Sequence, residues 1–254
     1  MFYFDPLYLL IFVVTIAITG WAAWNVRSTF AKWDRVPSGI PADAFGFARA
    51  LLDTQGLQHV RVEPTEGHLT DHYDPRGRVL RVSSTVAGGA VAGGGARRAR
   101  PEFGVASVGG RPGAAVGLSV ASAAVIAHEV GHALQHQEGS VAMKIRQAIV
   151  PLAQLGSGLG PFLILFGLIF QLTGLAVLGL VFFAAAVAFT FATLPVEIGA
   201  SNRALRFVDG LGMSGERLTG ARAVLRAAAW TYVASALTAL LNFLYYLTLV
   251  SRSR

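Results

Sequence analysis

The sequence contains no cysteine and few charged side chains. The absence of cysteine in 254 residues excludes disulfides and thiolate metal ligands. Only 14% of the residues are charged, and Asp, Glu, Lys and Arg are all absent from Gln147 through Val196. Fifty residues without a formal charge cannot form mostly the surface of a soluble protein. Together with a mean hydropathy of +0.54, this predicts an integral membrane protein.

The apolar runs predict four transmembrane helices. A hydrocarbon core about 30 Å thick needs about 20 apolar residues per helical span. The charge-free run fits two spans joined by a turn near residues 171–174. A further span at residues 7–24 is interpreted as a retained anchor rather than a cleaved signal, and the last covers residues 227–250. The alternative is a set of buried core helices.

Basic residues predict the orientation of these spans. With four spans, the loop after the first span and the loop after the third lie on the same side of the membrane. These two loops carry ten basic residues: Arg27, Lys32, Arg35, Lys144, Arg146, Arg203, Arg206, Arg217, Arg222 and Arg226. Only Arg252 and Arg254 lie on the other side. The positive-inside rule therefore predicts a multi-pass plasma-membrane protein with both loops in the cytoplasm. The sequence has no basic stripe with interleaved aromatic residues, so we expect no nucleic-acid partner.

Residues 128–132 read His-Glu-Val-Gly-His inside an apolar stretch, residues 120–136, that predicts a helix. Helix positions four apart lie on one face, about 6 Å apart along the axis. His128 and His132 can therefore bind one zinc ion, and Glu129 can take a proton from a metal-bound water. The pattern predicts a metal-dependent hydrolase. The alternative is a helix whose histidines only satisfy hydrogen bonds.

A catalytic zinc site normally has a third protein ligand. Glu138 lies where zinc enzymes with a longer local motif place it, but Gln135 stands where those enzymes have a helix-breaking glycine. His136 is about 12 Å along the axis from the first histidine. Glu197 ends the charge-free run, is expected to start a helix over residues 197–206, and returns to the same predicted side of the membrane as the motif. Glu197 is therefore the favoured ligand, and the alternative is a carboxylate that caps a helix.

The polar part of the sequence predicts a small α+β domain. Residues 41–56 are typical of a short amphipathic helix between Pro41 and Gly56. Residues 58–63 and 78–83 alternate and predict a short antiparallel sheet. The Gly-, Ala- and Arg-rich residues 87–117 predict a flexible loop. The predicted fold class is therefore α+β and mostly helical.

The chain resembles the YugP-type membrane zinc metallopeptidases, which are distant relatives of the HtpX and CAAX-prenyl endopeptidases. The resemblance is carried, in order, by a first span, residues 69–76, residues 79–83, the stretch around the histidine motif, residues 194–204 and the closing span. It implies one zinc ion with His128, His132 and Glu197 as ligands, the set typical of gluzincins, and Glu129 as catalytic base.

These inferences predict five regions along the chain. Residues 1–26 would form an anchor, residues 27–146 a zincin-like cytosolic domain, and residues 147–195 a transmembrane hairpin. Residues 196–226 would form a cytosolic helix with the third ligand, and residues 227–254 the last span.

The predicted activity is hydrolysis of peptide bonds in membrane-associated or cytosol-facing proteins. The partners would be a protein or peptide substrate and the lipid bilayer. His72 is a candidate contact for the substrate or the transition state, although its segment, residues 71–74, also reads as a polar turn before a strand. The alternative function is a catalytically silent zinc-binding scaffold or chaperone.

Overall fold

A computed structural model of the chain describes residues 5–88 and 117–252. The predicted flexible loop, residues 87–117, lies almost entirely outside the described residues. The order of elements is α1 (Pro6–Trp33), α2 (Ala44–Thr54), β1 (Arg61–Thr65), β2 (His72–Asp74), β3 (Val79–Ser83), α3 (Ser84–Gly88), α4 (Val120–Gln137), α5 (Val141–Ile169), α6 (Thr173–Gly210) and α7 (Gly215–Arg252).

The described residues form two compact units. The helical unit comprises residues 5–28, 135–202 and 226–252. The sheet unit comprises residues 29–88, 117–134 and 203–225.

Four helices, α1, α5, α6 and α7, are long and apolar enough to cross a membrane. Many of their large apolar side chains are exposed, as expected where the surrounding medium is lipid. The expected turn between α5 and α6 is confirmed: Gln171 has a φ of +56°, and the N–H of Leu172 donates to the carbonyl of Gly167 at 2.7 Å. In the helical unit, three glycines of α5 pack directly against the backbone of α6: Gly156, Gly160 and Gly167.

The prediction that a helix begins at Glu197 is wrong. Helix α6 is continuous from Thr173 to Gly210, with Pro195 inside it. A proline in a helix removes one backbone hydrogen bond and usually bends or breaks the helix. Here the residues that follow form a stripe with a spacing of four, and all are fully buried: Val196, Ala200, Ala204 and Val208. Burial of this continuous face stabilises the helix beyond the proline.

The sheet of the sheet unit is mixed, so the predicted antiparallel sheet is wrong. The strand order is β1-β3-β2, in which β1 pairs with β3 in parallel and β2 pairs with β3 antiparallel. The sequence pattern identified β1 and β3 but not the short strand between them. Because β2 forms the hairpin with β3, it takes the antiparallel position on one side, and β1 pairs on the other side in the same direction as β3.

Helix α2 forms where the sequence predicts it. The carboxylate of Asp43 accepts a hydrogen bond from the N–H of Gly46 at 2.7 Å and so caps the helix. Gly56, with a φ of +73°, stands just beyond its end. The apolar face of α2 packs into one core with β3 and α4, and this core includes Leu52, Leu80 and Ile126.

Candidate metal centre

The histidine motif lies on α4, and both ends of this helix are fixed by hydrogen bonds. The hydroxyl of Ser119 accepts from the N–H of Ser122 at 3.0 Å and donates to the carboxylate of Asp34 at 2.8 Å. At the other end Gly139 has a φ of +65°, and the N–H of Ser140 donates to the carbonyl of Gln135 at 3.0 Å. Because most of α4 is buried, the helix presents its polar side chains from a rigid support.

Three side chains predicted as ligands converge. His128, His132 and Glu197 each offer one ligand atom, and these atoms lie within 4.8 Å of one another. The two imidazole rings are 4.7 Å apart between centroids and nearly perpendicular. Among the described residues neither His136 nor Glu138 joins this cluster. Glu197 is only 2% exposed, so its carboxylate is directed into the protein.

The three donors fit a zinc ion. Two imidazole nitrogens and one carboxylate oxygen are a usual set of protein ligands for catalytic zinc. An ion placed equally far from three atoms 4.8 Å apart would lie about 2.8 Å from each, compared with bonds of about 2.0–2.2 Å. Shifts of less than about 1 Å in the side chains would close that difference, which is within the freedom of rotamer adjustment.

Glu129 is held by the backbone of β2. The N–H of Tyr73 donates to Oε2 of Glu129 at 2.8 Å, and the glutamate is 8% exposed. An N–H that binds a carboxylate oxygen fixes the orientation of the side chain and stabilises its charged form. No sequence pattern predicts this contact, because the donor is a backbone group that any residue other than proline would supply.

The segment at residues 71–74 is strand β2 with its lead-in residue, not a turn before a strand. The carboxylate of Asp71 accepts from both the N–H and the hydroxyl of Ser83, each at 2.7 Å. Burial nevertheless raises the pKa of Asp71 above its ordinary value. Asp74 begins the turn that follows, and its carboxylate accepts a hydrogen bond from the N–H of Gly77. This hydrogen bond is the main cause that lowers the pKa of the Asp74 carboxyl group.

His72 is exposed and lies outside the metal cluster. Its Nδ1 is 2.8 Å from the carbonyl oxygen of Thr70, and its Nε2 is 3.2 Å from Nη1 of Arg81. A neutral ring that carries its proton on Nδ1 satisfies both contacts, since the carbonyl needs a donor and the guanidinium needs an acceptor. The role of His72 in binding a substrate or a transition state stays a prediction.

Two further residues contact the segment that carries the third candidate ligand. The side-chain amide of Gln135 donates to the carbonyl of Val196 at 2.8 Å. Nη1 of Arg146 lies 3.7 Å from Oε1 of Glu197, which makes an ion pair. Sequence reasoning missed both roles. The available signal was the spacing of Gln135, seven residues after His128 and three after His132, which places it on the same helix face.

Four apolar helices of membrane-spanning length and a converging set of two histidines and a glutamate define a multi-pass membrane protein with a candidate metal site. The family described as "Putative neutral zinc metallopeptidase" matches residues 8–96 and 112–251, and the chain belongs to this family. It is 35% identical over 249 residues to "Putative membrane protease YugP" of Bacillus subtilis (strain 168), covering 98% of each chain. No solved structure matches it. The resemblance found in the sequence is therefore confirmed.

Proposed function

We propose that this protein is a membrane-embedded, zinc-dependent metalloendopeptidase of the gluzincin type. The observation that carries the proposal is the convergence of His128, His132 and Glu197 within 4.8 Å in a chain of a zinc metallopeptidase family. Glu129 follows the first histidine directly and is held by a backbone hydrogen bond at 2.8 Å. Glu129 is not one of the three donors, and this supports a separate role for its carboxylate.

The roles of the residues follow from their chemistry. His128, His132 and Glu197 would hold one zinc ion, which when bound would polarise a peptide carbonyl and lower the pKa of a water molecule. Glu129 acts as general base toward the attacking water and then delivers the proton to the leaving amine. The N–H of Tyr73 keeps the carboxylate of Glu129 in one orientation, so proton transfer needs no prior rearrangement of the side chain.

The charge pattern supports a site that faces the cytoplasm of a plasma-membrane protein. The ten basic residues outside the predicted spans and on one side of them favour that orientation. A site of this kind would act on membrane proteins or on peptides presented at the cytoplasmic surface. We propose protein or peptide substrates and the lipid bilayer as partners, and no nucleic acid.

The test uses three variants of the full chain, purified in detergent. Glu129→Gln should retain one zinc per chain, measured by metal analysis, and should cleave casein at least about 10²-fold more slowly, because the base is lost. Glu197→Gln should lose most of its zinc, since a neutral amide replaces a carboxylate ligand. Glu138→Gln is the matched control, because Glu138 is exposed and lies outside the cluster, and it should retain both properties.

Two outcomes would contradict the proposal. Undiminished cleavage by Glu129→Gln would remove the mechanism. Full zinc binding by Glu129→Gln together with unchanged function in cells would favour a catalytically silent scaffold or chaperone.

A further inference from the structure

Gln135 is a buried polar side chain that the proposed mechanism does not use. It is 2% exposed and lies in the last turn of α4, one turn beyond His132. A buried amide needs hydrogen-bond partners, because an unpaired polar group loses its hydrogen bonds to water without replacement. Its Nε2 donates to the carbonyl of Val196 in α6 at 2.8 Å. The amide therefore links the metal-binding helix to another helix by a direct, well-formed hydrogen bond.

The acceptor of this bond precedes the third candidate ligand. Val196 is followed directly by Glu197, so the bond fixes the backbone next to the residue that must supply the carboxylate. Pro195 comes just before and has no N–H, so α6 lacks one of its own hydrogen bonds in this region. The hydrogen bond from Gln135 adds a constraint from outside the helix, next to the proline.

The position of Gln135 matches this role. His128, His132 and Gln135 are spaced by four and three residues, so one face of α4 carries both imidazoles and the amide. Since α4 is fixed at both ends, the amide of Gln135 keeps its position, and its hydrogen bond ties the backbone of Val196 to α4. Any slide or rotation of α6 that withdrew Glu197 would also stretch the hydrogen bond from Gln135.

We propose that Gln135 is a positioning residue for Glu197: its amide holds the backbone of Val196 so that the carboxylate of Glu197 meets the two histidines. The inference rests on the proposed function, because it takes Glu197 as a zinc ligand. Residues that orient metal ligands without contacting the metal themselves contribute about 10–100-fold to metal affinity. Gln135 acts through Glu197 and not on the metal directly.

The test measures zinc affinity by competition with a chelator of known affinity, using the full chain in detergent. Gln135→Met keeps the length of the side chain but has no donor, and it should weaken zinc binding about 10–100-fold. Gln137→Met is the matched control, because Gln137 is exposed on the same helix, and it should change the affinity less than about twofold. Gln135→Asn keeps an amide that is one methylene shorter, and it replaces Gln135→Met if that variant does not fold.

A double-mutant cycle with Glu197→Ala separates positioning from a general effect on α4. If Gln135 acts through Glu197, Gln135→Met should not weaken the residual zinc affinity of Glu197→Ala any further. An equal loss in both backgrounds would overturn the inference, and so would wild-type affinity in Gln135→Met or, where it is used, Gln135→Asn. Wild-type affinity in Glu197→Ala alone would instead refute Glu197 as a ligand and with it the proposed zinc site, so the two failures are distinguishable.

Discussion

Gly156→Ala is expected to destabilise the helical unit because α5 and α6 approach too closely there for a side chain. A Cβ added at Gly156 would lie 2.0 Å from the carbonyl oxygen of Phe182 and 2.9 Å from its carbonyl carbon. Both atoms belong to the backbone, so no side-chain rotation relieves the clash. The helices would have to separate by about 1 Å to restore van der Waals contact, and overpacking of this kind costs about 1–3 kcal/mol.

The matched control lies two residues along the same helix. A Cβ added at Gly158 would meet nothing within 4 Å, and an alanine in a helix interior is favoured over glycine by up to about 1 kcal/mol. Gly158→Ala should therefore be neutral or slightly stabilising. The comparison removes the effect of helix propensity, which is the same for both substitutions, and leaves the contact with α6.

The assay is thermal unfolding of the purified variants in one detergent, followed by helical circular dichroism. For a chain of about this size, 1 kcal/mol shifts Tm by about 2–4 °C. We expect Tm to fall by about 2–12 °C for Gly156→Ala and not to fall for Gly158→Ala. Equal Tm values in the two variants would refute the close approach of α5 and α6.

Two further predictions concern pH and orientation. Burial raises the pKa of Asp71 in the folded protein above 3.8, its ordinary value in the unfolded chain. The stability that protonated Asp71 contributes is therefore complete below pH 3.8 and is lost as pH rises through the raised pKa. With chelator present, the Tm of Asp71→Asn relative to the wild type should therefore be higher at pH 7 than at pH 4; a difference that falls with pH would contradict this reasoning. Ser214→Cys would be the single thiol of a cysteine-free chain. It should resist impermeant thiol reagents in intact cells, and ready labelling would reverse the proposed orientation.

The features of the fold that extend over many residues could be predicted from the sequence. Runs of about 20 apolar residues indicated all four membrane-length helices, and the turn at Gln171 falls where expected. Helix α2 and the motif helix α4 also form as predicted. In each case a strong local pattern agrees with the final structure, because the same apolar residues that make the pattern are buried or form the exposed apolar surface of the membrane-length helices.

The short-range features were less predictable. Strand β2 has three residues, too few for an alternating pattern, and without it the parallel pairing of β1 with β3 could not be inferred. A helix was expected to begin at Glu197, yet α6 continues through Pro195, and a stripe of buried residues holds the helix beyond it. The first error arises where a segment is too short to give a local signal, and the second where tertiary contacts override one.

The candidate metal centre also has one part that could be predicted from the sequence and one part that could not. Its donors are side chains, so their identity and spacing could be read from the sequence, including the distant Glu197. The groups that hold the surrounding residues are partly backbone: the N–H of Tyr73 binds Glu129, and the carbonyl of Val196 accepts from Gln135. Backbone groups carry no residue identity, so only the fold shows where they act. A substitution that shifts β2 or α6 can therefore disturb the site while every predicted ligand stays in place, which is why ligand identity alone does not define the site.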